Sequence, residues 1–137
     1  DAGQLQTEIS MMRQRLYAAH PTKADQFDIK HSPGGMLDTE FAVQYLVLAH
    51  AKDYPALIDN LGNIELLRIA QAHRLVPVDI ALKAADAYQV LRDQQHAARL
   101  QEKPAVVSDQ TLLDQRAAVQ ALWNHVFRTS APPHDAR

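Results

Sequence analysis

The residue types best suited to chemistry lie close together in residues 27–41. Asp28 and Lys30 stand two positions apart, and the glycine pair Gly34-Gly35 follows them. Carboxylates bind divalent cations and a lysine can neutralise a phosphate, so these residue types at this spacing predict chemistry on a phosphate or a divalent metal. The remainder of the chain is then expected to hold this segment in place.

Each of these residues also has a structural interpretation. Gly34 and Gly35 follow a proline, and paired glycines permit a tight turn with positive φ without any ligand. Lys30, at the end of a short extended segment, can be a solvated charge. Asp38 and Glu40 fall in the first turn of a predicted helix, where carboxylates complement the helix dipole and the unpaired N–H groups. These two carboxylates are therefore predicted to serve the helix start rather than a metal.

Five helices are expected to support the segment, because apolar residues recur every three or four positions. The predicted helices cover residues 4–19, 37–51, 63–72 and 77–101, and a fifth runs to about residue 127 after a cap at Ser108 or Asp109. Prolines fall in the breaks between several of them, as expected for residues that interrupt a helix. Trp123 lies on the apolar stripe of the last helix and is expected to be largely buried.

Residues 26–30 form the one extended candidate, so the predicted class is all-α, with a bundle of about five helices and one orphan strand. A strand without a partner leaves its backbone groups unpaired, which implies that its sheet lies in an upstream domain outside this sequence. Residues 1–36 would then end that upstream domain, 37–128 would form a C-terminal helical bundle, and 129–137 would be a flexible tail. The unpaired strand is expected to be mobile or to pair with a second copy. The alternative is that residues 26–30 are merely a loop.

Composition and charge narrow the classes of function. With 137 residues, 47% of them hydrophobic and 22% charged, the chain suits one soluble globular domain. The net charge of -2 gives no support for a nucleic acid or a membrane surface as partner. No apolar run is long enough for a membrane span and no signal peptide is visible, so a cytoplasmic location is expected. The sequence has no cysteine, and its seven histidines show no metal-binding spacing.

The segment and the sequence behind it resemble a known family. The strings Phe27-Asp28-Ile29-Lys30, Gly34-Gly35 and Asp38-Thr39-Glu40-Phe41, with Gln44-Tyr45-Leu46 directly behind them, closely resemble the final region of glutamine synthetase adenylyltransferase. The likeness continues in order through residues 63–67, Tyr88, residues 91–93 and Trp123. It covers about residues 5–127.

This resemblance implies a bacterial, cytoplasmic enzyme of nitrogen metabolism with two nucleotidyltransferase-like modules. One module attaches AMP from ATP to a tyrosine of glutamine synthetase, the other removes it by phosphorolysis, and PII signalling protein and glutamine regulate the enzyme. The residue type at Asp38 resembles the C-terminal, adenylylating module. Asp28 favours the adenylyltransferases over the related PII uridylyltransferases, which usually have asparagine there.

The resemblance also implies roles for the site residues. The family holds Mg²⁺ and ATP with an Asp-x-Asp pair after a Gly-Ser, and this sequence contains no such pair. Asp28 is implied as a further carboxylate with a catalytic and metal-binding role, and its alternative is a structural aspartate that accepts local N–H bonds. Lys30, Gly34 and Gly35 are implied as nucleotide-binding residues. The chain alone is therefore expected to be inactive and to bind neither Mg²⁺ nor ATP tightly.

A second class of function stays open at this point. The helical bundle can be a non-catalytic docking or regulatory module that contacts glutamine synthetase or PII protein, or it can be part of a PII uridylyltransferase. Binding of Mg-ATP to the chain itself would distinguish a surviving nucleotide site from a docking module.

Overall fold

The computed structural model describes residues 2–58 and 62–127, and over this part of the chain it confirms an all-α class with five α-helices. The helices are α1 (Ala2–Ala19), α2 (Met36–His50), α3 (Asn63–Ala72), α4 (Val78–Leu100) and α5 (Leu113–Val126). A 3₁₀ turn, Pro55–Ile58, lies between α2 and α3. The first four helices agree closely with the predicted bounds. The predicted flexible tail, 129–137, lies outside the described residues.

The start of α5 differs from the prediction. Neither Ser108 nor Asp109 caps this helix, which begins at Leu113 after Leu112 in a left-handed conformation with φ of 58°. The hydroxyl of Ser108 instead accepts a hydrogen bond from the N–H of Gln110 at 3.1 Å. Ser108 therefore shapes a turn after a strand, because a short polar side chain favours turns as well as helix starts.

The extended segment has a partner within the chain, so the prediction of an orphan strand is wrong. β1 (Gln26–Asp28) pairs antiparallel with β2 (Val106–Ser108), with Phe27 opposite Val107. The N–H of Ile29 continues the pairing by donating to the carbonyl of Ala105 at 2.9 Å. β2 escapes sequence analysis because three residues are too few to show a period of two. β1 is therefore paired along one edge, and mobility is no longer expected on the ground that the strand is unpaired.

The described residues bury two hydrophobic clusters. The larger takes residues from all five helices and includes Ile9, Leu67 and Trp123. Trp123 is 8% exposed, which confirms the predicted burial. The smaller cluster packs Phe27 and Ile29 of the β1 segment against residues of α4 and α5. The division of the chain at residue 36 stays a prediction. Within the described part of the chain, no helix is long and apolar enough to cross a membrane.

Candidate functional site

The four predicted site residues lie in one segment, residues 28–35, which begins at the last residue of β1 and ends just before α2; we call it the 28–35 turn. Both of its ends are held by the backbone. The N–H of Ile29 donates to Ala105 beside β2, and the carbonyl of Ile29 accepts the N–H of Met36, the first residue of α2, at 2.9 Å. Asp28, Lys30 and the two glycines therefore belong to one loop with fixed ends.

Asp28 uses its carboxylate to build the turn. Its Oδ1 accepts the backbone N–H groups of Lys30 at 2.9 Å and of His31 at 3.0 Å, and its Oδ2 lies 3.1 Å from Nδ1 of His31. The N–H of Asp28 donates in turn to Oγ of Ser32 at 2.9 Å. Aspartates commonly accept N–H groups two or three residues along the chain in this way. This geometry agrees with the alternative in which Asp28 is a structural residue that accepts local N–H bonds.

The described residues do not by themselves form a metal site. Within residues 2–58 and 62–127, no group of three or more His, Asp or Glu side chains is arranged to hold a metal ion. Mg²⁺ requires six ligands in near-octahedral geometry, and Asp28 can supply only part of that set. Mg²⁺ bound beside Asp28 therefore needs further ligands from outside the described residues.

The backbone of the turn has no N–H group left for a phosphate. Every N–H from residue 28 to residue 37, apart from the proline at 33, donates to an acceptor within the chain at 2.8 to 3.0 Å. Glycine-rich phosphate loops bind through free N–H groups, which this turn lacks. It can meet a phosphate only through side chains. Lys30, the lysine of this turn, is exposed and can supply such a side chain.

The two glycines are explained by the shape of the turn. Gly34 has φ of +85°, and a Cβ there would lie 3.1 Å from Cβ of Arg116 on α5. A Cβ on Gly35 would lie 2.5 Å from the carbonyl oxygen of Ile29. A positive φ and a close approach of backbone to backbone both favour glycine, so neither residue needs a ligand to account for it.

An ion pair behind the turn, between the partly exposed Arg13 and the buried Asp38, is a feature that sequence analysis missed. Asp38 is 1% exposed, and its carboxylate accepts hydrogen bonds from Nε of Arg13 at 2.9 Å and Nη2 at 2.7 Å. The Tyr17 hydroxyl donates to Oδ1 of Asp38 at 2.8 Å, and the N–H of Gly34 donates to Oδ2 at 2.8 Å. The guanidinium of Arg13 lies 3.7 Å from the centroid of the Trp123 ring. We call Arg13, Tyr17, Asp38 and Trp123 the Asp38 cluster.

Asp38 lies in the first turn of α2, as predicted, but it acts on more than the helix start. Its carboxylate accepts the N–H of Gly34, just before the helix, and the N-cap residue Gly35 receives no side-chain bond. Its main partner, Arg13, is 25 positions away, which local pattern reading does not detect. A signal was nonetheless present, because Arg13 stands beside the apolar stripe of α1, where a charge needs a partner.

A second polar cluster joins α2 to α3 and α4. The hydroxyl of Tyr88 donates to Oε2 of Glu40 at 2.7 Å and accepts a hydrogen bond from Nδ2 of Asn63 at 3.2 Å. Burial, with the Glu40 hydrogen bond, raises the pKa of Tyr88 to about 12. Burial and the Asp38 carboxylate likewise raise the pKa of Tyr17 far above its usual range. Both phenols therefore remain protonated donors at neutral pH, and both α2 carboxylates are engaged by protein groups.

Comparison with known proteins gives a consistent match over nearly the whole chain. The profile of the family described as GlnD PII-uridylyltransferase matches residues 4–129. Two relatives carry the name bifunctional glutamine synthetase adenylyltransferase/adenylyl-removing enzyme. The one from Aromatoleum aromaticum is 42% identical to this chain and the one from Bordetella bronchiseptica 45%, each over 93% of this chain. The protein of the same name from Nitrosomonas europaea is 42% identical over 94% of this chain. The chain spans 14% of the length of the first two relatives and 16% of the third.

Proposed function

The chain belongs to the GlnD PII-uridylyltransferase family, and from this premise we propose that it is the helical segment of an enzyme that transfers AMP from ATP to a tyrosine of glutamine synthetase and removes it by phosphorolysis. The observation that carries the proposal is the identity of 42 to 45% to proteins named for adenylyl transfer and removal, over 93% of the chain. The family description names the uridylyl reaction instead. Asp28, where the uridylyltransferases usually have asparagine, supports the adenylyl reaction.

In the complete enzyme, Lys30 contacts the phosphates of ATP from the 28–35 turn. Asp28 would contribute one carboxylate ligand to Mg²⁺ while the N–H groups that it accepts shape the turn, and Gly34 and Gly35 allow the turn to close. Mg²⁺ held there would neutralise charge on the phosphates. The other ligands of ATP and Mg²⁺ come from parts of the enzyme outside this chain.

The regulatory side of the proposal follows the family resemblance. Glutamine synthetase is the target that the relatives' name includes, and we add PII signalling protein and glutamine as effectors. The setting is the bacterial cytoplasm and the process is nitrogen assimilation. Neither a nucleic acid nor a membrane is among the proposed partners.

The first test separates the chain from the longer protein that contains it. Glutamine synthetase, Mg²⁺ and ATP labelled at the α-phosphate are incubated with the 137-residue chain or with the longer protein. The chain is expected to leave the synthetase unlabelled, since it has no Asp-x-Asp pair, whereas the longer protein labels it. Reproducible AMP transfer by the purified chain would contradict the assignment of the metal site to another segment.

A second candidate function is a docking module without a nucleotide site of its own. The saturated N–H groups of the 28–35 turn favour it, because they leave only side chains to meet a phosphate. Calorimetric titration of glutamine synthetase and, separately, of Mg-ATP into the chain tests docking. Binding of glutamine synthetase without binding of Mg-ATP would support docking, and micromolar binding of Mg-ATP would contradict it by showing a nucleotide site within this segment.

A further inference from the structure

We propose that Asp38 is a positioning residue for the nucleotide, which holds the 28–35 turn so that Lys30 faces the phosphates of ATP. The inference rests on the proposed adenylyl transfer and names a residue that neither the motif nor the metal chemistry assigns to the reaction. Asp38 acts through the backbone of Gly34 and makes no contact with substrate itself.

The geometry gives Asp38 a direct hold on the turn. The N–H of Gly34 donates to Oδ2 of Asp38 at 2.8 Å, and the side chain of Asp38 is 0% exposed. A hydrogen bond to a buried carboxylate is stronger than one between neutral groups, and water does not compete for it. Gly34 has φ of +85°, which a glycine adopts without steric cost, so this bond is made without backbone strain.

The carboxylate is itself fixed by two other helices. Arg13 of α1 binds both of its oxygens, and the Arg13 guanidinium lies against the Trp123 ring of α5. The turn therefore takes its orientation from α1 and α5 as well as from α2. The imidazole rings of His20, which directly follows α1, and of His31 are stacked with centroids 3.6 Å apart, which ties the end of α1 to the turn a second time.

Lys30 lies between the fixed points of this arrangement. Its N–H donates to Asp28 Oδ1 at 2.9 Å, and its carbonyl accepts the N–H of Leu37 at 3.0 Å, one residue before Asp38. The backbone of Lys30 is thus held on both sides. Its side chain forms no ion pair among the described residues, so its charge is available to a ligand. A backbone so constrained fixes the point from which the flexible Lys30 side chain can reach a ligand.

The test uses the longer protein that contains this chain, with the variants Asp38→Asn, Lys30→Ala and the two combined. Val76→Ala is the matched control, because Val76 is buried in the larger cluster and its apolar side chain makes no hydrogen bond to the turn. AMP transfer is measured well below the melting temperature of the least stable variant, and backbone hydrogen exchange is followed in residues 29–37. Arg13→Lys, which keeps the charge but not the bidentate contact, serves if Asp38→Asn does not fold.

We expect Asp38→Asn to speed exchange in residues 29–37 and to raise KM for ATP by about tenfold or more. The combined variant should be little worse than Lys30→Ala, since both substitutions remove the same interaction. Val76→Ala should lower the melting temperature while KM for ATP stays within about twofold.

Two results would overturn the proposal. One is a KM for ATP in Asp38→Asn that matches the wild type, and the other is a combined variant whose loss equals the product of the two single losses. An unaltered Lys30→Ala enzyme would refute the proposed nucleotide contact and the positioning role with it. A wild-type protein without AMP transfer would instead refute the proposed function, and this is seen before any variant is compared.

Discussion

At the scale of single residues, two roles compete for Asp28: a structural residue of the turn and a ligand of Mg²⁺. Its carboxylate accepts the N–H groups of Lys30 and His31, which is sufficient to explain an aspartate in this turn. The metal-ligand role remains a prediction that the resemblance supports. A substitution that removes only the charge distinguishes the two roles, since the turn needs an acceptor oxygen whereas the metal needs a carboxylate.

Asp28→Asn in the longer protein tests this point. Asparagine keeps an oxygen that can accept both N–H groups, so the melting temperature should change by about 2 °C or less. AMP transfer should fall by roughly 10²-fold or more, because one negative charge is removed from beside Mg²⁺. Asp28→Ala is the control, since it removes the turn contacts as well and should also lower stability. A well-folded and fully active Asp28→Asn enzyme would leave Asp28 as a turn residue only.

Tyr88 provides a prediction on pH. Its folded pKa of about 12 lies above the usual value of 10.0, so the native state holds the phenol proton more tightly than the unfolded state does. The resulting contribution to stability is complete below pH 10 and is lost as the pH rises from about 10 to 12. Urea midpoints of wild type and Tyr88→Phe across this range should converge as the pH increases. A constant difference between the two would show that Tyr88 does not titrate as described.

At the scale of elements, the helices were predictable and the sheet was not. Four helices have bounds close to those predicted, because their apolar periods are long and prolines fall in their breaks. β2 has three residues and no period to detect, so β1 looked unpartnered. The start of α5 was misplaced because Ser108 serves a turn rather than a helix cap. Long periodic segments are visible in one sequence, whereas pairing between distant short ones is not.

Trp123 tests how α5 is attached to the bundle. Trp123→Ala should lower the free energy of unfolding by roughly 3–5 kcal/mol, since it removes a large buried ring. The ring also faces the guanidinium of Arg13, so part of the loss comes from the Asp38 cluster. Trp123→Phe, which keeps an aromatic face, should cost clearly less in a urea titration. An unchanged midpoint for Trp123→Ala would mean that α5 is not part of the described core.

At the scale of the whole molecule, the sequence draws attention to residues 28–35 but does not show the contacts that hold them in place. Residues 28–35 stood out by residue type and spacing, and the structure brings them into one turn. The contacts that hold this turn join α1, α2 and α5 through Arg13, Asp38 and Trp123. Such long-range pairs depend on tertiary packing, so one sequence cannot show them. Three helices therefore hold one short turn through these contacts.

We propose above that this chain serves adenylyl transfer to glutamine synthetase rather than uridylyl transfer to PII protein, and one measurement tests this directly. The longer protein should be incubated with glutamine synthetase and PII protein together, once with α-labelled ATP and once with α-labelled UTP, in the presence of Mg²⁺. We expect label on glutamine synthetase from ATP and none on PII protein from UTP. Label on PII protein from UTP, with glutamine synthetase left unlabelled, would contradict it.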